Sequence, residues 1–231
     1  MPELLKAVLF DFAGTLFMPA APEEMMAGAL ARLGMAPGQD VVQRLADGYA
    51  RAGIAGGPYP SEVPDELAAL YAERDLSSEN HRRAYVGLAS TVEGPSELPE
   101  VFYDELLRPG SWVPYADTTP VVKGLSARGV VVGVISNVGF DLRPILRGHG
   151  LAGLAERLTM SYEVRAAKPS PEIFRVALQK LDTTAEQTLM VGDNAGVDDG
   201  GLALGMPTLL LPMTPPGSNH RLAVVLSLFG P

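Results

Sequence analysis

The sequence predicts an α/β fold, a doubly wound parallel sheet interrupted by one all-helical insertion. Three observations carry this. Short, continuous apolar runs recur at 6–12 (KAVLFDF), 130–136 (VVVGVIS), 158–161 (LTMS), 188–193 (TLMVGD) and 207–212 (PTLLLP), as strands buried on both faces of a parallel sheet require. Helix-like stretches at 119–128, 141–149, 170–180 and 196–204 fall between the later runs, the alternation expected of crossover units. Between the first two runs that alternation stops.

Each element has a local reason. The first run is closed by Gly14, and a tight turn follows. From 19 to about 115 no strand is predicted. Five helix-like segments stand there, at 22–33, 40–53, 64–75, 78–91 and 96–108, punctuated by GGPYP (56–60), SEVP (61–64) and EGPSELP (93–99), whose prolines and glycines stop helices. A helical block of that size exceeds a single crossover. The expectation is a small inserted domain over 17–115 and an α/β core domain built from 1–16 and 116–231. Ligands of such sheets bind beyond the carboxyl ends of the strands, so the residues that follow each run are the candidates for function.

Composition narrows the partners. The 231 residues are 47% hydrophobic with few aromatics (6%), enough to bury a sizeable, mainly aliphatic core. A net charge of −9 argues against nucleic acid or an anionic membrane, which need a basic face. It leaves room for a locally positive site that takes a small anion. The absence of cysteine excludes disulfides and thiolate catalysis and fits a reducing cytoplasm. The opening MPELLKAVLFDF is too short an apolar stretch for a secretory leader. No stretch has the apolar length of a membrane span. The sequence carries no signal of oligomeric state.

Four polar groups stand at strand ends. Asp11 follows a buried run directly, which is costly unless the carboxylate is paired; Gly14 and Thr15 then supply a turn with backbone N–H groups and a hydroxyl suited to an anion. Alone, Asp11 equally fits an N-cap. Ser136 and Asn137 end the second run as possible donors to phosphate oxygens, or as an ordinary turn. Lys168 sits in RAAKPSPEIF, where Pro169 and Pro171 fix the chain at a helix entrance; a lysine there is usually a solvated surface group, but this is one of only four in the chain. The run VGDNAGVDDG brings Asp193, Asp198 and Asp199 together with no basic residue among them, and clustered carboxylates need a cation, for which hard oxygen ligands favour Mg2+.

Taken together, these motifs make the chain resemble the haloacid dehalogenase superfamily, in its phosphatase-like branch. DFAGTL, ISN, KPSPEIF and GDNAGVDD match the four motifs of that family in order, and the long interval after the first is where its helical cap is inserted. The resemblance implies a Rossmann-like sheet with that cap, and a magnesium-dependent hydrolase acting on a small phosphorylated metabolite. It implies that Asp11 attacks phosphorus and forms an aspartyl-phosphate. Magnesium would be held by Asp11, the backbone carbonyl of Ala13 and Asp193, with Asp198 supporting the metal's waters or orienting Lys168. Ser136, Lys168 and backbone N–H groups near Gly14 and Asn137 would hold the phosphoryl group.

One position departs from the pattern. The family's phosphatases carry a second aspartate two residues after the nucleophile, as proton donor and later base; here it is Ala13, and such help is worth about 10² to 10⁴-fold. Another group would have to supply the proton, with His81, Glu93 and Asp117 as candidates. Phosphonoacetaldehyde hydrolysis needs a cap lysine, yet Lys6, Lys123, Lys168 and Lys180 all fall outside 17–115. Dehalogenation needs no proton donor, but that branch lacks the metal-site aspartate that Asp193 represents. The remaining alternative is a binding or regulatory protein of the same fold. Tyr59, Tyr71, Arg82, Arg83 and Tyr85 are inserted-domain residues that could face a ligand, although a helix-surface or core role fits each better.

Overall fold

The computed structural model describes residues 5–229; residues 1–4 and 230–231, which the expected core domain includes and on which the leader argument partly rests, lie outside the described residues. The sheet is β1 (Ala7–Phe10), β4 (Val131–Ser136), β5 (Leu158–Met160), β6 (Thr188–Gly192) and β7 (Thr208–Leu210), in the order β5-β4-β1-β6-β7. Every pairing within it is parallel. The five apolar runs are these five strands. Around them lie α6 (Thr118–Ala127), α7 (Arg143–Gly148), α8 (Ala152–Ala155), α9 (Ser161–Val164), α10 (Pro171–Leu181) and α11 (Ala223–Ser227).

Strand β1 explains why its run is apolar throughout. Val8 and Phe10 join one buried cluster with Val132, Val134 and Val191. Ala7 and Leu9 join another, with Ile173, Phe174 and Ala177 of α10. Both faces are covered, so no position of the central strand tolerates a polar residue until the chain leaves the sheet at Asp11. The alternation of side chains across the pleat does the sorting.

Helices α1 (Pro22–Arg32), α2 (Gln39–Ala52), α3 (Asp65–Ala72), α4 (Ser78–Ala89) and α5 (Leu98–Leu106) occupy the inserted stretch. The expectation of no strand within 19–115 is corrected: β2 (Phe17–Pro19) and β3 (Trp112–Pro114) form an antiparallel pair where the chain enters and leaves the helices. Phe17 and Trp112 are both buried there, with Phe12 stacked on Phe17 at 4.8 Å and 5.0 Å from Trp112. Three-residue strands joined over that distance leave no periodic trace.

Two other expectations change. The stretch 64–75 is not one helix: α3 ends at Ala72, and Arg74–Leu76 is a separate 3₁₀ turn. Ser161 Oγ donates to the Asp75 carbonyl, so a contact from the sheet side holds this turn. The stretch 196–204 is also 3₁₀, over Asp198–Leu204. Its paired glycines weaken an α-helix, and the Gly200 backbone lies so close to the Pro169 carbonyl that a side chain would not fit. Among the described residues no helix is long and apolar enough to cross a membrane.

Candidate active site

Asp11 leaves β1, Ser136 ends β4, and Asp193 follows β6. Three adjacent parallel strands therefore deliver their next residues to one rim. Lys168 arrives from the loop before α10. These four line one cavity of about 370 Å³, together with Ala13, Asn137 and Asp198.

Lys168 is the electrostatic centre. Its Nζ donates to Asp11 Oδ1 and to Asp198 Oδ1, each at 2.6 Å, and its side chain is 1% exposed. Burial would lower its pKa, but the charges of Asp11 and Asp198 prevail and hold it above the ordinary lysine value. An ammonium this deeply buried stays charged only because both carboxylates answer it.

The three carboxylates outnumber that lysine. Oxygens of Asp11, Asp193 and Asp198 all lie within 4.8 Å of one another. Burial pushes Asp11 up to about 7; the Lys168 charge opposes this, while Asp198 and Asp193 add to it. Asp193 rises to about 6, through burial and then the Asp198 charge, again against Lys168. Fully ionised, the three carboxylates and one ammonium carry a net charge of −2, which a divalent cation would balance. The donor set, all hard oxygen, fits a magnesium-sized divalent cation. Gly14 sharpens the fit: its φ is +90°, and a Cβ there would stand 2.7 Å from the Asp193 carboxyl. Only glycine lets the turn after Asp11 pass so close to the acidic cluster.

Asp198 is already engaged. Its Oδ2 accepts from the N–H groups of Asp193 and Asn194, both at 3.0 Å, and Oδ1 takes Lys168. Asp193 makes fewer contacts, accepting from the Thr15 hydroxyl at a long 3.5 Å.

Ser136 and Asn137 both line the cavity, but they differ in use. Asn137 clamps the Lys168 backbone, its Nδ2 donating to the Lys168 carbonyl (2.8 Å) and its Oδ1 accepting from the Lys168 N–H (2.7 Å). Its side chain is thereby the brace that sets Lys168, and the expected phosphate donor at this position is its backbone N–H. Gly14 and Thr15 are corrected. The Gly14 N–H donates to the Phe17 carbonyl at 2.8 Å, and Thr15 is fully buried behind Asp193. The turn at 13–17 closes on itself, so these groups shape the site and do not face an anion.

Among the candidates for a missing proton donor, His81 does line the cavity. Burial, then the Arg74 charge, push its pKa down to about 3, so the ring is neutral; its Nδ1 lies 2.7 Å from Tyr103 Oη. Asp117 accepts from the N–H groups of His220 and Leu222 and is structural. Glu93 is exposed and away from the cavity. Tyr59 and Tyr85 line the cavity, whereas Arg82 pairs with Glu100 and Asp104 and Arg83 with Glu79. Sequence reasoning missed Arg74 and Asp75, which do line it. Their only signal was the charged pair at the end of an apolar helix pattern.

A parallel, Rossmann-like α/β sheet with a lysine between carboxylates at one rim defines an α/β protein with an acidic site whose oxygen donors suit a cation. A family model for haloacid dehalogenase-like hydrolases matches residues 5–204, and the chain belongs to that family. It is 34% identical over 152 residues to haloacid dehalogenase-like hydrolase domain-containing protein 3 of Danio rerio, covering 58% of this chain and 63% of that protein. It is 32% identical over 124 residues to a phosphoserine phosphatase of Thermus thermophilus, covering 53% and 49%. The chain thus spans about half to two thirds of the curated relatives it matches. A solved dehalogenase superposes over 100% of both chains with a TM-score of 0.67 at 16% identity, a likeness of fold alone.

Proposed function

We propose that the protein is a magnesium-dependent phosphatase of small phosphorylated molecules, working through an aspartyl-phosphate on Asp11, with residues 17–115 serving as the cap domain over a core of 1–16 and 116–231. The observation that carries this is the pairing of Lys168 with Asp11 and Asp198 on the wall of a cavity that Asp193 and Ser136 share. Asp11, the carbonyl of Ala13 and Asp193 would hold the ion. Asp198, saturated by Lys168 and two backbone N–H groups, orients the lysine. When bound, the ion supplies charge neutralisation at the phosphoryl oxygens and at the carboxylates around it.

Asp11 attacks phosphorus, the phosphorus–oxygen bond to the leaving group breaks, and the leaving oxygen departs with the electron pair as an alkoxide that takes its proton from water. Ser136 and Lys168 hold the equatorial oxygens. Water then cleaves the acyl-phosphate, releasing phosphate and restoring the carboxylate. Ala13 offers the leaving oxygen no proton. Esters of good leaving groups are therefore the better substrates, and alkyl esters are slow unless another donor reaches them.

The alternative of carbon–halogen cleavage is disfavoured by the acidic cluster, which a halide leaving group does not need. A binding or regulatory role is favoured by one observation: Ala13, which lines the cavity beside Asp11, carries no acid–base group. Turnover of p-nitrophenyl phosphate decides between the readings. Magnesium-dependent hydrolysis that Asp11→Asn abolishes is the expected result; no turnover across a broad panel of phosphate esters transfers the assignment to binding.

A further inference from the structure

The phosphatase reading accounts for one end of the cavity and leaves a second pair of charges unused. Arg74 and Asp75, in the 3₁₀ turn of the inserted helices, line the same cavity. Their side chains are 20% and 17% exposed, and Arg74 Nη2 stands 3.5 Å from Asp75 Oδ2, beyond a good hydrogen bond.

Each is held in place without being satisfied. The guanidinium carbon lies 4.0 Å above the centre of the Tyr71 ring, and Nη1 donates to the Tyr71 carbonyl at 2.8 Å. Nε and the Tyr71 hydroxyl are enclosed beside Tyr85 and are not offered to the cavity. Arg74 Nη2 stands 3.5 Å from the Asp75 carboxylate and Nε2 of the neutral His81 ring 3.9 Å from it. A carboxylate mostly removed from water and lacking a close donor is costly. Burial accordingly raises its pKa, against the charges of Arg74 and Lys168. A loosely paired Arg74 and Asp75 on a cavity wall are groups that a ligand can complete.

Charge distribution gives the ligand's character. The cations on the wall are Lys168 and Arg74, and Lys168 is already shared between two carboxylates. Arg74 is thus the wall's cation for a second anion, and its planar fork suits a carboxylate. Position is fixed as well. Ser161 Oγ donates to the Asp75 carbonyl and accepts from the Val138 N–H at 2.9 Å, just past Ser136 and Asn137. The turn and the phosphate end are therefore tied to one loop, which sets the separation between the two ends.

Resting on the phosphatase reading, we propose that this turn reads the organic half of the substrate. The substrate class is a small phosphate ester bearing a carboxylate that pairs with Arg74 and, next to it, a hydroxyl or ammonium that donates to Asp75. The matched three-carbon series tests it: propyl phosphate, 3-phosphooxypropanoate, 3-phosphoglycerate and O-phosphoserine. Turnover is measured on the wild type with magnesium, and affinity by calorimetry on the Asp11→Asn protein with magnesium. The expected result is a preference of about tenfold or more for the carboxylated esters over propyl phosphate, with a further gain for those bearing a donor. Arg74→Gln collapses the first ratio, with partial rescue in Arg74→Lys, and Asp75→Asn collapses the second. Either ratio surviving its substitution overturns the assignment, as does a uniform loss across all four esters, the mark of a merely structural role. Turnover without any grading leaves the phosphatase reading standing and removes this one. Graded binding without turnover does the reverse, and neither binding nor turnover removes both.

Discussion

At Asp11 the cost of the site is concentrated in one carboxyl group. Its pKa is pushed up to about 7 by burial and by Asp198 and Asp193, Lys168 notwithstanding. A folded-state pKa above the unfolded value means that the folded protein binds the extra proton, so stability falls as pH rises from about 4 to about 7. Asp193, raised to about 6, adds to the same slope. Metal-free protein should therefore melt at a lower temperature at pH 7.5 than at pH 5, and magnesium should raise Tm more at pH 7.5. Asp11→Asn should flatten the slope, and equal slopes for the two proteins in differential scanning calorimetry would refute this account of the charge balance. Lys168→Met should destabilise by about 3–5 kcal/mol at neutral pH, because two buried carboxylates lose their counter-charge. Chemical denaturation measures that.

Among the elements, the 53–57 loop after α2 and the strand pair β2–β3 meet over Ala13. Gly56 has φ +70°, and a side chain added there would run into Trp112. Ala13 lines the cavity beside Asp11, so an aspartate at position 13 would bring a further carboxylate to the acidic cluster. Ala13→Asp is thus expected to lower the Tm of metal-free protein at pH 7.5 and to raise turnover of alkyl phosphates. Unchanged turnover of alkyl phosphates would show that a missing proton donor is not what limits the rate. On the opposite face of the sheet, Phe174 of α10 is fully buried against Leu9 and Met190. Phe174→Ala should cost about 3–5 kcal/mol while leaving the strand-end carboxylates in place. The helical insertion was legible as helices because prolines and glycines mark their ends. The two short strands were not, since they pair with each other across about a hundred positions.

Across the whole molecule, sheet and insertion share a core. Phe10 and Val134 of the sheet belong to one continuous cluster with Met26, Leu45 and Phe102 of the helices. Cooperative unfolding as a single unit follows from this continuity. Trp112, the chain's one tryptophan, sits at the junction, so its fluorescence and the far-UV dichroism should report coincident urea transitions. Separate midpoints would mean that the helices come apart from the sheet.

The sequence by itself determined the five parallel strands and the helical insertion, and pointed to Asp11, Ser136 and Asp193 at strand ends with Lys168 and Asp198 beside them, because strict apolar runs permit one kind of buried strand and leave conspicuous any polar residue that closes it. Only the tertiary structure decided which donors are free. Gly14, Thr15 and Asn137 spend theirs on Phe17, Asp193 and Lys168, while Arg74 and Asp75, plain charges in a helical stretch, reach the cavity by a turn held from Ser161. A hydrogen bond is a matter of distance and direction between residues remote in the chain, and periodicity carries no record of either.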